Sequence, residues 1–149
     1  MICSDSFGEI KSIQAYPFDA IQLPFTYTFS LCVPRSSVII SGDPEELDVA
    51  ENSAMATCLD ENSASGKVFQ NSLTWNTEDV SVDVMNQIEK LISQKYHFIY
   101  HTYDGKTKLI YNWNKAGSVT HNSQNGDSGE VMSVSYNGNS LIPILTLTD

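Results

Sequence analysis

Strict period-two alternation, broken once by a helical stripe, is the feature that most limits what this chain can fold into. Phe25-Thr26-Tyr27-Thr28-Phe29-Ser30-Leu31 puts aromatic and Leu side chains on one face and hydroxyls on the other, the pattern of a half-buried strand. Ile10 to Ala15 reads as a short opening strand, Ser37 to Ser41 as a β-branched run, and Lys67 to Trp75 as a strand carrying Val68, Leu73 and Trp75. The clearest hairpin is Tyr96 to Tyr111, turning at Asp104-Gly105, a dipeptide suited to the left-handed geometry of a two-residue turn. Val119 to His121 reads as a further strand, followed by Val131 to Tyr136. Asn137-Gly138 is then expected to close another hairpin onto Leu141 to Leu147.

The exception is one helix. Val84, Met85, Ile88, Leu91 and Ile92 fall at i, i+1, i+4, i+7 and i+8, a single apolar stripe at helical spacing. Asn86, Glu89, Lys90 and Ser93 take the other side, and Ser81 or Asp83 supplies the cap. Val80 to Val84 also alternates like a strand, so the pattern leaves the start of the helix open. One amphipathic helix of about three turns must cover a sheet. The expected fold is mainly β (α+β): an antiparallel β-sandwich or barrel with one packed helix, forming a single domain over residues 1–149.

Composition agrees with a turn-rich β protein. Ser, Thr and Asn contribute 40 of 149 residues, and these short polar side chains favour strands and turns over long helices. Eight bases against 18 acids give a net charge of −10, which argues against a duplex or RNA binder because phosphate affinity needs clustered Lys and Arg. No run approaches 18 consecutive apolar residues, so no membrane span is expected. Met1 to Asp5 has neither a positive region nor an apolar run, so no secretory leader is expected. Cys3, Cys32 and Cys58 are odd in number and widely spaced. They read as reduced thiols of a cytoplasm-made protein.

Acidic charge is concentrated in one place. Between Asp43 and Glu61 there are seven acids and no base. This stretch opens at Gly42-Asp43-Pro44 and closes at Gly66, with sparse apolar residues and poor periodicity. It is expected to be a long excursion at about residues 43–66, either a mobile loop or an arm.

Chemistry-bearing motifs are scarce. His97 and His101 lie on one face of a strand, with Cβ atoms roughly 13 Å apart, too far to share a zinc ion; His121 has no evident partner. The Asn122 to Glu130 stretch has oxygen ligands and two glycines, but its spacing is not that of an EF-hand and a hairpin loop explains it as well. Glu45-Glu46 and Asp60-Glu61 are adjacent carboxylates in an acidic stretch, with no sign of the opposed pair that a glycosidase needs. Trp75 and Trp113, with seven Tyr, are candidates for a sugar-binding face or for core. No nucleophile elbow, zinc motif or phosphate loop is present. The expectation is a protein that is not an enzyme, with no catalytic, cofactor-binding or metal-binding residue.

The order of elements adds a further expectation. Leading strands are followed by a polar excursion, a strand ending near Trp75, the helix, and the hairpin Tyr96-His97-Phe98-Ile99-Tyr100-His101-Thr102-Tyr103-Asp104-Gly105-Lys106-Thr107-Lys108-Leu109-Ile110. A Gly-Ser-Val-Thr strand, a Gly-rich turn and Val134-Ser135-Tyr136-Asn137-Gly138-Asn139-Ser140-Leu141-Ile142-Pro143 follow. Over residues 67–147 this pattern resembles the tail-tube and tube-like neck proteins of tailed bacteriophages, particularly those of the Bacteroides group. The resemblance implies a structural virion protein made in the host bacterial cytoplasm. Its subunits would join side by side into a homo-oligomeric ring, with other virion proteins as partners. DNA would pass the lumen without specific binding, and the 43–66 excursion would reach a neighbouring subunit. A wall carrying the acidic excess would not hold phosphate. The alternative is a β-sandwich binding module that recognises carbohydrate or protein through exposed aromatics.

Overall fold

The structure is a computed structural model that describes residues 10–23, 32–63, 66–78, 80–126 and 129–148. The Phe25 to Leu31 alternation and Cys3 lie outside the described residues. In chain order the strands are β1 (Ile10–Pro17), β2 (Ile21–Gln22), β3 (Cys32–Pro34), β4 (Ile39–Ile40), β5 (Glu45–Glu46), β6 (Met55–Ser63) and β7 (Gly66–Asn76). Helix α1 (Val82–Ser93) is followed by β8 (Tyr96–Thr102), β9 (Thr107–Ile110), β10 (Ser118–Gly126), β11 (Gly129–Ser140) and β12 (Leu145–Thr148). A six-stranded sheet runs β3-β12-β9-β8-β1-β5, a four-stranded sheet runs β10-β11-β7-β6, and β2 pairs with β4. All pairings are antiparallel except β12 with β3. The protein is mainly β with one helix, its sheets packed together.

The six-stranded sheet is covered on both faces, which explains why β8 is buried at every position but His101. Phe98 and Tyr100 point with Ile13, Ala15 and Ile110 into a cluster completed by Leu73, Trp75, Val134 and Tyr136 of the other sheet. Ile99 points the opposite way, with Leu109, Leu145 and Leu147, onto Ile21, Val33 and Ile142. Strands in the middle of a doubly covered sheet lose the alternation that marks a half-exposed one. Across the first cluster, Phe98 meets Trp75 at 6.1 Å and Tyr136 at 5.0 Å between ring centroids, both tilted, a favoured aromatic arrangement.

Helix α1 follows the stripe read from the sequence. The Ser81 hydroxyl accepts the Val84 amide at 3.4 Å, so Ser81 is the cap and the Val80 to Val84 ambiguity resolves to a helix starting at Val82. Ile88 and Leu91 are buried in the first cluster, while Ile92 ends the stripe at 38% exposure. Lys90 bonds Glu45 at 2.6 Å and Gln87 donates to the Glu46 carbonyl at 2.8 Å. These contacts tie the helix to β5, and the same helix packs near β10.

One expectation about turns fails and two hold in modified form. Asn137-Gly138 does not close a hairpin; it lies inside β11. A Cβ on Gly138 would sit 2.7 Å from the Tyr136 hydroxyl, and one on Gly117 2.1 Å from it. The dipeptide therefore reflects close approach rather than a turn. The Asn122 to Glu130 stretch forms the end of the β10–β11 hairpin, paired down to Gly126 and Gly129. The Asp104-Gly105 turn is where the sequence put it, but it takes four residues, 103 to 106, with Gly105 at φ +90°. A β-branched or Ala residue there would be strained.

The 43–66 stretch is ordered β structure over much of its length. Glu45 and Glu46 pair with Ala15 and Gln14 at the edge of the large sheet. Leu47 and Val49 pack on the first cluster, and the Ala50 amide bonds the Asn76 carbonyl at 2.7 Å. Met55 to Ser63 then runs as β6, in register with β7 from Thr74 to Gly66. The weak periodicity has a physical cause: an edge strand over a small buried area needs only Ala56 and Cys58 on its inner side.

Candidate functional site

The two long hairpins put four rows of short polar side chains on the outward face of the four-stranded sheet. Leu59, Gln70 and Asn139 form one row; Thr57, Ser72, Asn137 and Ser118 the next. Met55, Thr74, Ser135 and Thr120 form the third, and Asn76, Ser133 and Asn122 the fourth. Their in-between neighbours, such as Leu73, Trp75, Val134 and Tyr136, face the core. The alternation that buries one side thus leaves hydroxyls and amides on the other. The Thr57 and Ser72 hydroxyls bond across the strands. Among the described side chains this face holds no charge, although the chain carries −10. In the 43–66 stretch Glu45 and Glu46 lie on the large sheet and Asp60 on the opposite parity of β6; Glu61 takes the outward parity beyond the four rows, opposite Val68.

A hollow of about 410 Å³ opens on this face, lined by Thr57, Leu59, Gln70, Ser72, Asn137 and Asn139, with Ala116 at its margin. A buried network holds that margin. Asn112 is 1% exposed; its amide side chain donates to the Tyr96 carbonyl at 3.2 Å and accepts the Gly117 amide at 2.8 Å. The Lys95 ammonium donates to the Gly117 carbonyl at 2.9 Å. His97 completes the link, its Nδ1 accepting the Asn112 amide at 2.9 Å. Its Nε2 therefore carries the proton and donates to the Phe18 carbonyl at 2.8 Å.

His97 is thus a packed core histidine. It stacks against Phe18 at 4.8 Å and Tyr111 at 4.3 Å, rings that also meet each other at 6.4 Å, and the Lys115 ammonium lies 5.0 Å over Phe18. Burial drives its pKa down to about 4, against smaller upward pulls from the Phe18 carbonyl and Asp19. His101, partly exposed further along the strand, is pushed down mainly by burial and then by Arg35. His121 is exposed on β10.

The other candidates are dispersed. Trp75 is core at 2% exposure, whereas Trp113 is 38% exposed in the 113–115 turn. They do not share a face that could hold a sugar. Glu45 pairs with Lys90, and Glu46 accepts from Gln14; both carboxylates pin elements together. Asp60 is on β6, and the Glu61 side chain lies outside the described set. Cys32 on β3 and Cys58 on β6 belong to different sheets. Among the described residues no three His, Cys, Asp or Glu are grouped to hold a metal ion, and no helix is long and apolar enough to cross a membrane.

Sequence reasoning missed the uncharged face. Its signal was present in Gln70-x-Ser72-x-Thr74-x-Asn76, Ser133-x-Ser135-x-Asn137-x-Asn139 and Ser118-x-Thr120-x-Asn122. Only the pairing brings those three runs side by side. No protein-family model matches the chain, and no curated protein or solved structure matches it either.

Proposed function

We propose that this chain is a structural subunit of a bacteriophage virion, a ring or tube former of the tail tube or neck type, whose uncharged sheet face lines the passage for DNA. The observation that carries this reading is that face: four rows of hydroxyls and amides, with Met55 and Leu59 as the apolar members of those rows. A polymer with one charge per ~1.7 Å of axis must meet a wall that neither binds nor repels it strongly. Lysine would trap it, and a dense acidic lining would oppose entry. Neutral hydroxyls and amides exchange phosphate contacts with water at small net gain, ~1 kcal/mol each or less. This refines the expectation of an acidic wall: no acid falls in the four rows, and Glu61 alone among the acids of β6 shares their parity. On this reading the protein works without catalysis or a cofactor, is made in the bacterial cytoplasm and resides in the virion.

Duplex binding tests it. The unmodified chain should show no measurable duplex affinity even at low salt, where phosphate contacts are strongest. Ser72→Lys, Thr74→Lys and Ser135→Lys together should create salt-sensitive binding in assembled protein and much less in monomer. Micromolar binding by the unmodified chain at moderate salt would overturn the reading.

One observation favours a second reading. The hollow offers paired amide and hydroxyl groups beside the 59%-exposed Leu59, chemistry that suits a neutral saccharide. Saturable glycan binding that is lost on Gln70→Ala and Asn139→Ala would select a recognition module instead.

A further inference from the structure

The two sheets treat their edges differently. Among the described residues the large sheet ends in β3, which closes on Pro34, and in β5, two residues held by α1 through Lys90 and Gln87. Short, proline-bearing or covered edges do not recruit further strands. The four-stranded sheet ends instead in β6 and β10, nine residues each, and among the described residues each pairs on one side only. The outward row of β6 also carries Met55 at 64% and Leu59 at 59% exposure. A long edge with exposed apolar side chains is a template for another strand.

From these edges, and resting on the subunit reading above, we infer that the partner is a second copy of this chain, joined by antiparallel pairing of β6 with β10 of the next copy. Direction supports it. Strands alternate β10, β11, β7, β6, each antiparallel to its neighbour. A β10 placed beside β6 therefore continues the alternation without a break. Glu61 is the one ionisable residue at the outward positions of the two edges, and full pairing sets it opposite Thr120 of the next copy, so no like charges meet across the joint.

Register supports closure into a ring. Within one copy, Met55 shares a row with Thr74, Ser135 and Thr120. Pairing all nine residues of both edges puts Met55 opposite Gly126, six residues from that row. The hydrogen-bond register then steps by six residues, about 20 Å, at every copy. A closed barrel requires such a stagger, because its strands must tilt against the barrel axis. The outline of the sheet is already sheared this way. The β6–β7 tip runs past the last β11 partner at Phe69, and the β10–β11 tip runs past the last β7 partner at Ser133. The joint is heterologous, so it propagates until the rotation closes.

Complementary edge blocks test this on the full chain, read by light-scattering mass and imaging. Unmodified protein should form closed assemblies at multiples of 16.5 kDa. Met55→Lys with Leu59→Lys blocks one edge; Thr120→Lys with Asn122→Lys blocks the other. All four positions are outside the core, and melting curves check that both variants stay folded. Each variant alone should remain monomeric, and an equal mixture should give a dimer joined through the two intact edges. A Thr120/Asn122 variant that still dimerises alone would show β6 pairing with itself and overturn the proposal. So would variants that assemble like the unmodified chain, or an unmodified chain that stays monomeric at every concentration. Complementary dimers from the edge variants, together with open-edged rings that gain no DNA affinity from Ser72→Lys, Thr74→Lys and Ser135→Lys, would uphold the edge pairing and remove the DNA passage.

Discussion

Acid should unfold this protein through one histidine before its carboxylates titrate fully. His97 is fully buried against Phe18 and Tyr111, and its Nδ1 faces the Asn112 N–H, which leaves no room for a second proton. The folded protein protonates it only near pH 4, the unfolded chain near 6.5. Between those values the unfolded state holds the extra proton, so stability rises with pH and falls as pH drops. The full difference of about 2.5 units corresponds to about 3 kcal/mol below pH 4, and about 2 kcal/mol is already lost between pH 7.5 and 5. For a chain of this length that is a fall in Tm of roughly 4–8 °C. Urea unfolding at pH 7.5, 6.5, 5.5 and 5.0 measures the slope, with His97→Gln as the test variant. His101, also pushed down by burial, adds in the same direction, so the series is run in a His101→Gln background. A His97→Gln protein with an undiminished slope, or a flat parent profile across this window, would refute the claim that folding requires neutral His97.

Other perturbations follow from packing. Ile88→Ala should cost ~2–5 kcal/mol by urea unfolding, the range for a large buried aliphatic side chain, while Glu89→Ala on the exposed side stays within ~0.5; equal shifts would refute the assigned face. Gly117→Ala should destabilise by ~1–3 kcal/mol through collision with the Tyr136 ring, and most of that loss should vanish in a Tyr136→Ala background. Removing residues 50–62 deletes most of β6 and bares Leu73 and Trp75 at the new edge, so the truncated chain should lose its cooperative thermal transition. A truncated protein that still melts sharply near the parent Tm would restore the dispensable-arm reading of this stretch.

The parts of the fold legible in the sequence are those where local and tertiary demands coincide. The stripe of α1 and the Tyr96 to Tyr111 hairpin each declare their own partner, one by periodicity and one by a short turn. The failures share a cause, which is tertiary. Asn137-Gly138 carries a turn signal, yet Tyr136 folds back over Gly117 and Gly138 and uses the missing side chains as space. The acidic stretch hid β6 because an edge strand buries little. His97 looked like one of two equivalent strand histidines; only the approach of Phe18 and Asn112, 79 and 15 residues away in sequence, separates it from His101.

The two sheets divide labour in a way that narrows where function can reside. Both faces of the six-stranded sheet are spent on the core, through Phe98 and Tyr100 on one side and Ile99 and Leu109 on the other. The four-stranded sheet spends only its inner face. Its outer face is uncharged over four rows, although the chain has 18 acids among 149 residues. Solubility would be served by charge there, as it is on the exposed side of α1 at Glu89 and Lys90. A surface that forgoes charge over four rows, bordered by two long edges that pair on one side only among the described residues, is better suited to contact than to bulk solvent. Edge pairing would place that surface on the inside of a curved wall, where neutrality serves a passing polyanion. The substitutions that block the edges and those that charge the face therefore probe separate physical terms, strand pairing in one case and electrostatics in the other.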